Sequence, residues 1–252
     1  MLTDQEYLRY GASTCLGTFG EAEQLKLKHA RVVVIGLGGL GCAASQYLAA
    51  AGAGTLMLVD DDTVQLSNLQ RQVLYTTYQV GTAKARNAAR SLAQLNNTID
   101  IQAKTLRVDE DNVHELIGDS NVVLDCTDNL ASRWVINKAC YQAKIPLVTG
   151  AAEGMQGQLL SLEPSHSHGC YACLYPPVTE ERPSCERVGV LGPLVGIIGA
   201  YQAFQAIRAL TGQTTDWGVL HTFDGTRMTW SRFFLPASVD CSHCQESLCK
   251  FQ

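Results

Sequence analysis

The sequence predicts an α/β protein: a doubly wound, mostly parallel sheet followed by a less regular C-terminal portion. Three observations carry that expectation. Short β-branched runs alternate with helical stretches as far as residue 150, the order that places helices on both faces of a parallel sheet. The segment Gly36-Leu37-Gly38-Gly39-Leu40-Gly41 lies where the first strand should turn into the first long helix. Beyond residue 162 the alternation gives way to a stretch rich in Pro, Cys, Glu and Ser.

Residues 1–30 read as an N-terminal helical arm before the nucleotide-binding core of residues 31–150. Arg31-Val32-Val33-Val34-Ile35 is a continuous apolar run ending at glycine, as a strand buried on both faces would be. Small and apolar residues from about 42 to 51 predict a helix, stopped by Gly52 and Gly54. Thr55–Val59 reads as the second strand, ending at Asp60. A helix is expected over 84–95, a strand over 99–103, a helix near 110–117 and a strand over 121–125. Residues 133–143 read as helical, and Pro146-Leu147-Val148 opens another strand. In the remaining portion, 151–252, a strand is expected over 157–162, a long loop over 166–187 and an apolar helix over 194–210. Strands near 219–223 and 228–235 close the chain, so one continuous domain with no internal repeat is expected.

A chain of 252 residues buries enough surface to need no disulfide framework. A net charge of −5 leaves no basic excess for a nucleic-acid backbone or an anionic membrane. The apolar runs are too short to span a bilayer. The N-terminus lacks the charged-then-apolar plan of a secretory leader, so a cytoplasmic location is expected. Of ten cysteines, Cys15, Cys42, Cys126 and Cys140 sit among small or apolar neighbours and read as inert buried thiols. Cys170 and Cys173 form one C-x-x-C pair and Cys241 and Cys244 another. In a reducing compartment such pairs point to a metal before a disulfide.

Gly36, Gly38 and Gly41 fit G-x-G-x-x-G, in which the glycines permit a tight turn, close approach of phosphate to backbone, and helix packing against strand. The phosphate would face free N–H groups at the helix start, in a Rossmann-like arrangement. Asp60 stands where a carboxylate would accept hydrogen bonds from ribose hydroxyls. These features suit NAD as well as ATP. What tilts the reading is Leu66-Ser67-Asn68-Leu69-Gln70-Arg71-Gln72 with Lys84 beyond it. A guanidinium and an ammonium near the phosphates suit phosphoryl or nucleotidyl transfer, whereas a redox enzyme leaves its pyrophosphate intact. Asp128, just past a strand end, suits Mg²⁺ beside a triphosphate; as N-cap of the next helix it would be purely structural.

Taken together, Gly36–Gly41, the Leu66–Gln72 segment, Leu124-Asp125-Cys126-Thr127-Asp128-Asn129 and the two C-x-x-C pairs resemble the ThiF/MoeB/HesA family, bacterial relatives of ubiquitin-activating enzymes. The resemblance runs from about Tyr7 to Cys244. Tyr75-Thr76-Thr77, Gly169–Pro176 and Phe223-Asp224-Gly225 are more similar to the ThiF branch, of thiamin thiazole biosynthesis, than to the MoeB branch, of molybdopterin biosynthesis.

That resemblance implies MgATP-dependent adenylylation of the C-terminal Gly-Gly carboxylate of a small ubiquitin-like sulfur carrier, by a homodimer. It implies further that a persulfide can attack the activated carbonyl. The implied ATP site comprises Gly36, Gly38, Gly39, Gly41, Asp60, Ser67, Asn68, Leu69, Gln70, Arg71, Lys84, Asp128 and Asn129. Arg71 and Lys84 would stabilise phosphate charge and Asp128 would hold Mg²⁺. Cys170, Cys173, Cys241 and Cys244 match a structural Zn²⁺ site. Cys185, in Pro183-Ser184-Cys185-Glu186-Arg187, matches the cysteine that links covalently to the carrier; an incidental exposed thiol is the competing reading. His166 and His168, close to Cys170, read as surface histidines rather than ligands.

One position departs from the family pattern. Where members read Arg-Tyr-x-Arg-Gln, this chain has Arg9-Tyr10-Gly11-Ala12-Ser13, so the arginine expected to reach a partner's ATP is Ala12. Two other functions stay open on the sequence. An NAD-dependent oxidoreductase would share the glycine loop and Asp60, although no hydride-transfer site accompanies them. A non-catalytic carrier-binding protein would accommodate Ala12.

Overall fold

The computed structural model describes residues 1–165, 167–177 and 189–244. His166 and Cys185 lie outside the described residues, and so do the expectations attached to them. Eight strands form one sheet: β1 (Arg31–Ile35), β2 (Thr55–Val59), β3 (Asp100–Lys104), β4 (Val122–Asp125), β5 (Leu147–Glu153), β6 (Gln156–Leu162), β7 (Val219–Asp224) and β8 (Thr229–Phe234). Their order is β3-β2-β1-β4-β5-β6-β7-β8. The first five run parallel, and β6, β7 and β8 follow as an antiparallel meander. The helices are α1 (Asp4–Thr14), α2 (Glu21–His29), α3 (Gly39–Ala51), α4 (Lys84–Leu95), α5 (Val113–Ile117), α6 (Leu130–Ala143), α7 (Tyr171–Leu174) and α8 (Gly192–Thr211).

The parallel strands are apolar throughout because both faces are covered. Val32, Val34, Leu56, Leu58, Val122 and Leu124 pack on the face that carries α3, α4 and α8. The alternate residues Val33, Ile35, Met57, Val59 and Val123 pack on the other, against α5 and α6. Each fully buried aliphatic contributes about 1.5–3 kcal/mol, so this double core dominates stability. Glycine stops α3 at Gly52, whose φ of +86° suits a residue without Cβ. Among the described residues no helix is long and apolar enough to cross a membrane.

Most expected elements stand within a residue or two of their sequence bounds, with local exceptions. Residues 110–112 are not helical, because Asp109 Oδ1 accepts from the N–H groups of Asp111 and Asn112 and folds them into a turn. The expected long loop carries α7. Arg71 lies beyond a short 3₁₀ turn, Leu66–Asn68. Cys42, Cys126 and Cys140 are buried as expected, but Cys15 is exposed at the end of α1. Burial pushes the Cys42 thiol up to about 12, and those of Cys126 and Cys140 higher still. His168 is buried rather than on the surface, with Nδ1 2.8 Å from the Gly169 carbonyl.

Candidate nucleotide site and cysteine cluster

The strand order reverses direction between β1 and β4, and ligands of open α/β sheets bind at that crevice, beyond the carboxyl ends of the strands. The glycine loop leaves β1 there. Gly36 has φ +89°, and a Cβ on it would lie 2.8 Å from the Cys126 backbone. A Cβ on Gly41 would lie 1.9 Å from the Gly36 carbonyl oxygen, so this glycine is what lets α3 start against the strand end. At Gly38, the N-cap of α3, a Cβ would meet nothing closer than 3.7 Å. The first turn of α3 is therefore uncapped by side chain and open to an anion, which its N–H groups and dipole favour.

Leu37 is pinned through both of its backbone polar groups. Its N–H donates to Asp60 Oδ2 at 2.6 Å, and its carbonyl accepts from Tyr75 Oη at 2.9 Å. The other Asp60 oxygen accepts from the Asp62 N–H at 2.8 Å. Asp60, just past β2, thus builds the loop. Burial raises its carboxyl above the usual range, against the pull of Lys84.

Lys84 is the first residue of α4 and is buried, with Nζ 2.8 Å from Asp62 Oδ2. An ammonium at the positive end of a helix is disfavoured by the dipole, so its placement points to a task other than helix stability. Asp62 is its counter-charge. The 66–72 segment packs between the glycine loop and α8: Cβ atoms built on Gly39 and Gly192 would lie 3.4 Å from the Arg71 carbonyl oxygen and 2.5 Å from that of Gln70. Ser67 and Gln70 are exposed, whereas Asn68, Leu69 and Arg71 are half-buried. Asn68 Oδ1 accepts from the Gln65 N–H at 3.3 Å, and the Arg71 guanidinium rests 3.4 Å from the Ser67 carbonyl.

Asp128 is exposed, in the loop that touches Gly36. It does not cap the helix: Asn129 is the N-cap of α6, accepting from the Ser132 N–H at 2.9 Å. The carboxylate of Asp128 is free of that structural role. Beneath it, buried Arg133 donates to the carbonyls of Thr127 and Gly150, with Asp125 3.9 Å away. Thr149 Oγ1 joins Arg133 to Asp125. This network fixes the carbonyl immediately before Asp128. On α1, Ala12 is exposed, and Arg9 donates to the Leu95 carbonyl at 3.0 Å.

The four cysteines of the two pairs converge, their sulfurs all within 4.8 Å of one another. Cys170–Cys241 and Cys173–Cys244 are 3.6 Å apart and Cys170–Cys173 4.0 Å. These separations are far longer than a disulfide. A tetrahedron of thiolates with Zn–S of about 2.3 Å has edges of about 3.8 Å, so the donor set fits zinc in number, chemistry and size. Burial raises the thiols of Cys170 and Cys244, a cost that a bound cation would offset.

The description "ThiF family" matches residues 10–243. The chain belongs to that family. The Escherichia coli sulfur carrier protein ThiS adenylyltransferase is 42% identical over 96% of this chain and 97% of its own. The molybdopterin-synthase adenylyltransferase of the same organism is 46% identical over 84% of this chain and 85% of its own. Among solved structures, E. coli MccB with succinimide shares the fold, with TM-score 0.82 and 23% identity over 97% of this chain and 74% of that chain.

Sequence reasoning missed Asp62, Tyr75 and Arg133. Asp62 had a signal in the triple-aspartate run after β2. Arg133 had none, since its partners come from β5 and from the loop after β4.

Proposed function

We infer that this ThiF-family adenylyltransferase activates the C-terminal Gly-Gly carboxylate of a small ubiquitin-fold sulfur carrier with MgATP, in the cytoplasm. What supports the reading is the uncapped start of α3, a buried lysine at the start of α4 whose charge is felt at Asp60, and a carboxylate free of capping duty in the loop that touches Gly36. That geometry suits a triphosphate substrate. The N–H groups of α3 and the side chains of Lys84, Arg71 and Asn68 bind phosphate oxygens, and Asp60 faces the ribose. The carrier carboxylate forms a bond to the α-phosphorus as the bond to the β-phosphate bridging oxygen breaks, and pyrophosphate leaves. Lys84 and Arg71 stabilise the negative charge that grows on the departing phosphates. Asp128 would hold Mg²⁺, which supplies further charge neutralisation when bound.

The carrier is ThiS-like in this proposal, so the product feeds thiamin thiazole formation, where a persulfide donor attacks the activated carbonyl. The full-length match to the ThiS adenylyltransferase supports this choice. A MoeB-like role with the molybdopterin-synthase carrier is the second reading, favoured by the higher identity over a shorter match. We further propose that residues 1–252 act as one adenylylation domain, working as a homodimer, with Cys170, Cys173, Cys241 and Cys244 holding one structural Zn²⁺ per subunit. Cys185 would take the covalent link to the carrier.

Pyrophosphate–ATP exchange, measured with each carrier in turn, tests the proposal. Exchange is expected with the ThiS-like carrier, together with a carrier mass increased by one adenylate. Arg71→Ala and Asp128→Ala should each slow exchange by about 10²–10³-fold. Carrier binding that is indifferent to ATP, with no exchange, would instead make the chain a non-catalytic docking protein.

A further inference from the structure

Asn137 lies at the middle of α6 and is 2% exposed. A buried primary amide needs partners for an acceptor and two donors. Among the described residues, each hydrogen-bond partner of its side chain belongs to the cysteine region. Its Oδ1 accepts from the Tyr171 N–H at 2.9 Å, the first peptide after Cys170. Its Nδ2 is 3.5 Å from Cys170 Sγ, to which it donates, and 3.0 Å from His243 Nδ1, within the Cys241–Cys244 turn. One side chain of the nucleotide-binding half therefore touches both C-x-x-C turns.

We propose that Asn137 is a positioning residue for the metal of the cysteine cluster. It orients Cys170 and locks both turns to α6. The proposal rests on the zinc reading above. Four thiolates around Zn²⁺ carry a net charge of −2, and an N–H donor to sulfur spreads part of it. Four cysteines alone join two chain segments to each other. Asn137 joins the pair to the helix that begins beside Asp128. Outer-shell partners of this kind hold ligand orientation, and losing one weakens metal affinity by about 10–100-fold.

The substitutions Asn137→Ala and Asn137→Asp separate the contributions. Aspartate keeps the acceptor for Tyr171 while deleting both donors and adding charge beside the thiolates. Zinc content of the purified wild-type protein is measured first, then zinc transfer to a chromophoric chelator for all three proteins. Transfer is expected to become at least about tenfold more favourable in both variants, with aspartate the worse. In the cobalt-substituted proteins the thiolate-to-cobalt charge-transfer band should move to lower energy as the sulfur loses its donor. A wild-type protein that holds no zinc removes the zinc reading itself. Zinc in the wild type, with unchanged transfer and an unchanged cobalt band in the variants, overturns the role of Asn137 alone. Should neither variant fold, cadmium-113 wild-type protein gives the answer: a through-bond coupling between the Asn137 amide protons and the metal is expected, and its absence overturns the proposal.

Discussion

The two ends of the sheet are held by different means. In the parallel half, β1 to β5, the functional surface is made of backbone: free helix N–H groups, a pinned Leu37 and glycines that bring chain against chain. In the antiparallel half the strands thin out to β8, whose six residues are all exposed. Beyond the strand ladders, the cysteine turns are held by side chains, four sulfurs and one asparagine, whose contacts reach across 71 and 106 residues of sequence. A backbone site can be blocked by a single added atom, whereas side-chain sites depend on what fills them.

The sharpest way to break this contrast is Gly41→Ala. With its Cβ 1.9 Å from the Gly36 carbonyl oxygen, the start of α3 must shift. A loss of about 4 kcal/mol or more in chemical denaturation is expected, with loss of ATP binding. A next effect, confined to the other half, should follow zinc extraction. Hydrogen exchange of residues 169–173 and 235–244 should quicken markedly, while β1, β2 and β4 keep their protection. Equal quickening in both halves would show that the two are a single cooperative unit. The finest test is Gly38→Ala. A Cβ there meets nothing within 3.7 Å, so stability should change by no more than about 0.5 kcal/mol. ATP affinity by calorimetry should still fall at least about tenfold, because the methyl stands where phosphate must approach the backbone. An unchanged ATP affinity would move the phosphate site elsewhere.

The same contrast explains what was legible beforehand. Arg31–Ile35, Thr55–Val59 and Lys84–Leu95 stand at their expected bounds, because local periodicity and punctuation set them. α6 starts three residues early because Asn129, not a residue nearer Arg133, caps it. The glycine loop and the C-x-x-C pairs were readable because spacing along the chain is itself the signal. Arg133 and Asn137 were not, since a polar residue in a helical stretch reads as solvent-facing until the fold supplies distant partners. Asp62 was hidden by Asp60, whose spacing drew the nucleotide reading to itself. Its partner Lys84 was foreseen, but the ion pair between them lies 22 residues apart in sequence.

Arg133 and Asn137 are four residues apart, and so on one side of α6, about 6 Å along its axis. One grips the carbonyl beside Asp128, the other a cysteine sulfur, and Tyr171 spans them, with its ring 5.8 Å from the Arg133 guanidinium and its N–H on Asn137. Oxidants that attack the sulfurs would therefore tug on the same rod that carries the acidic loop. An assault near the end of the chain would register at its middle.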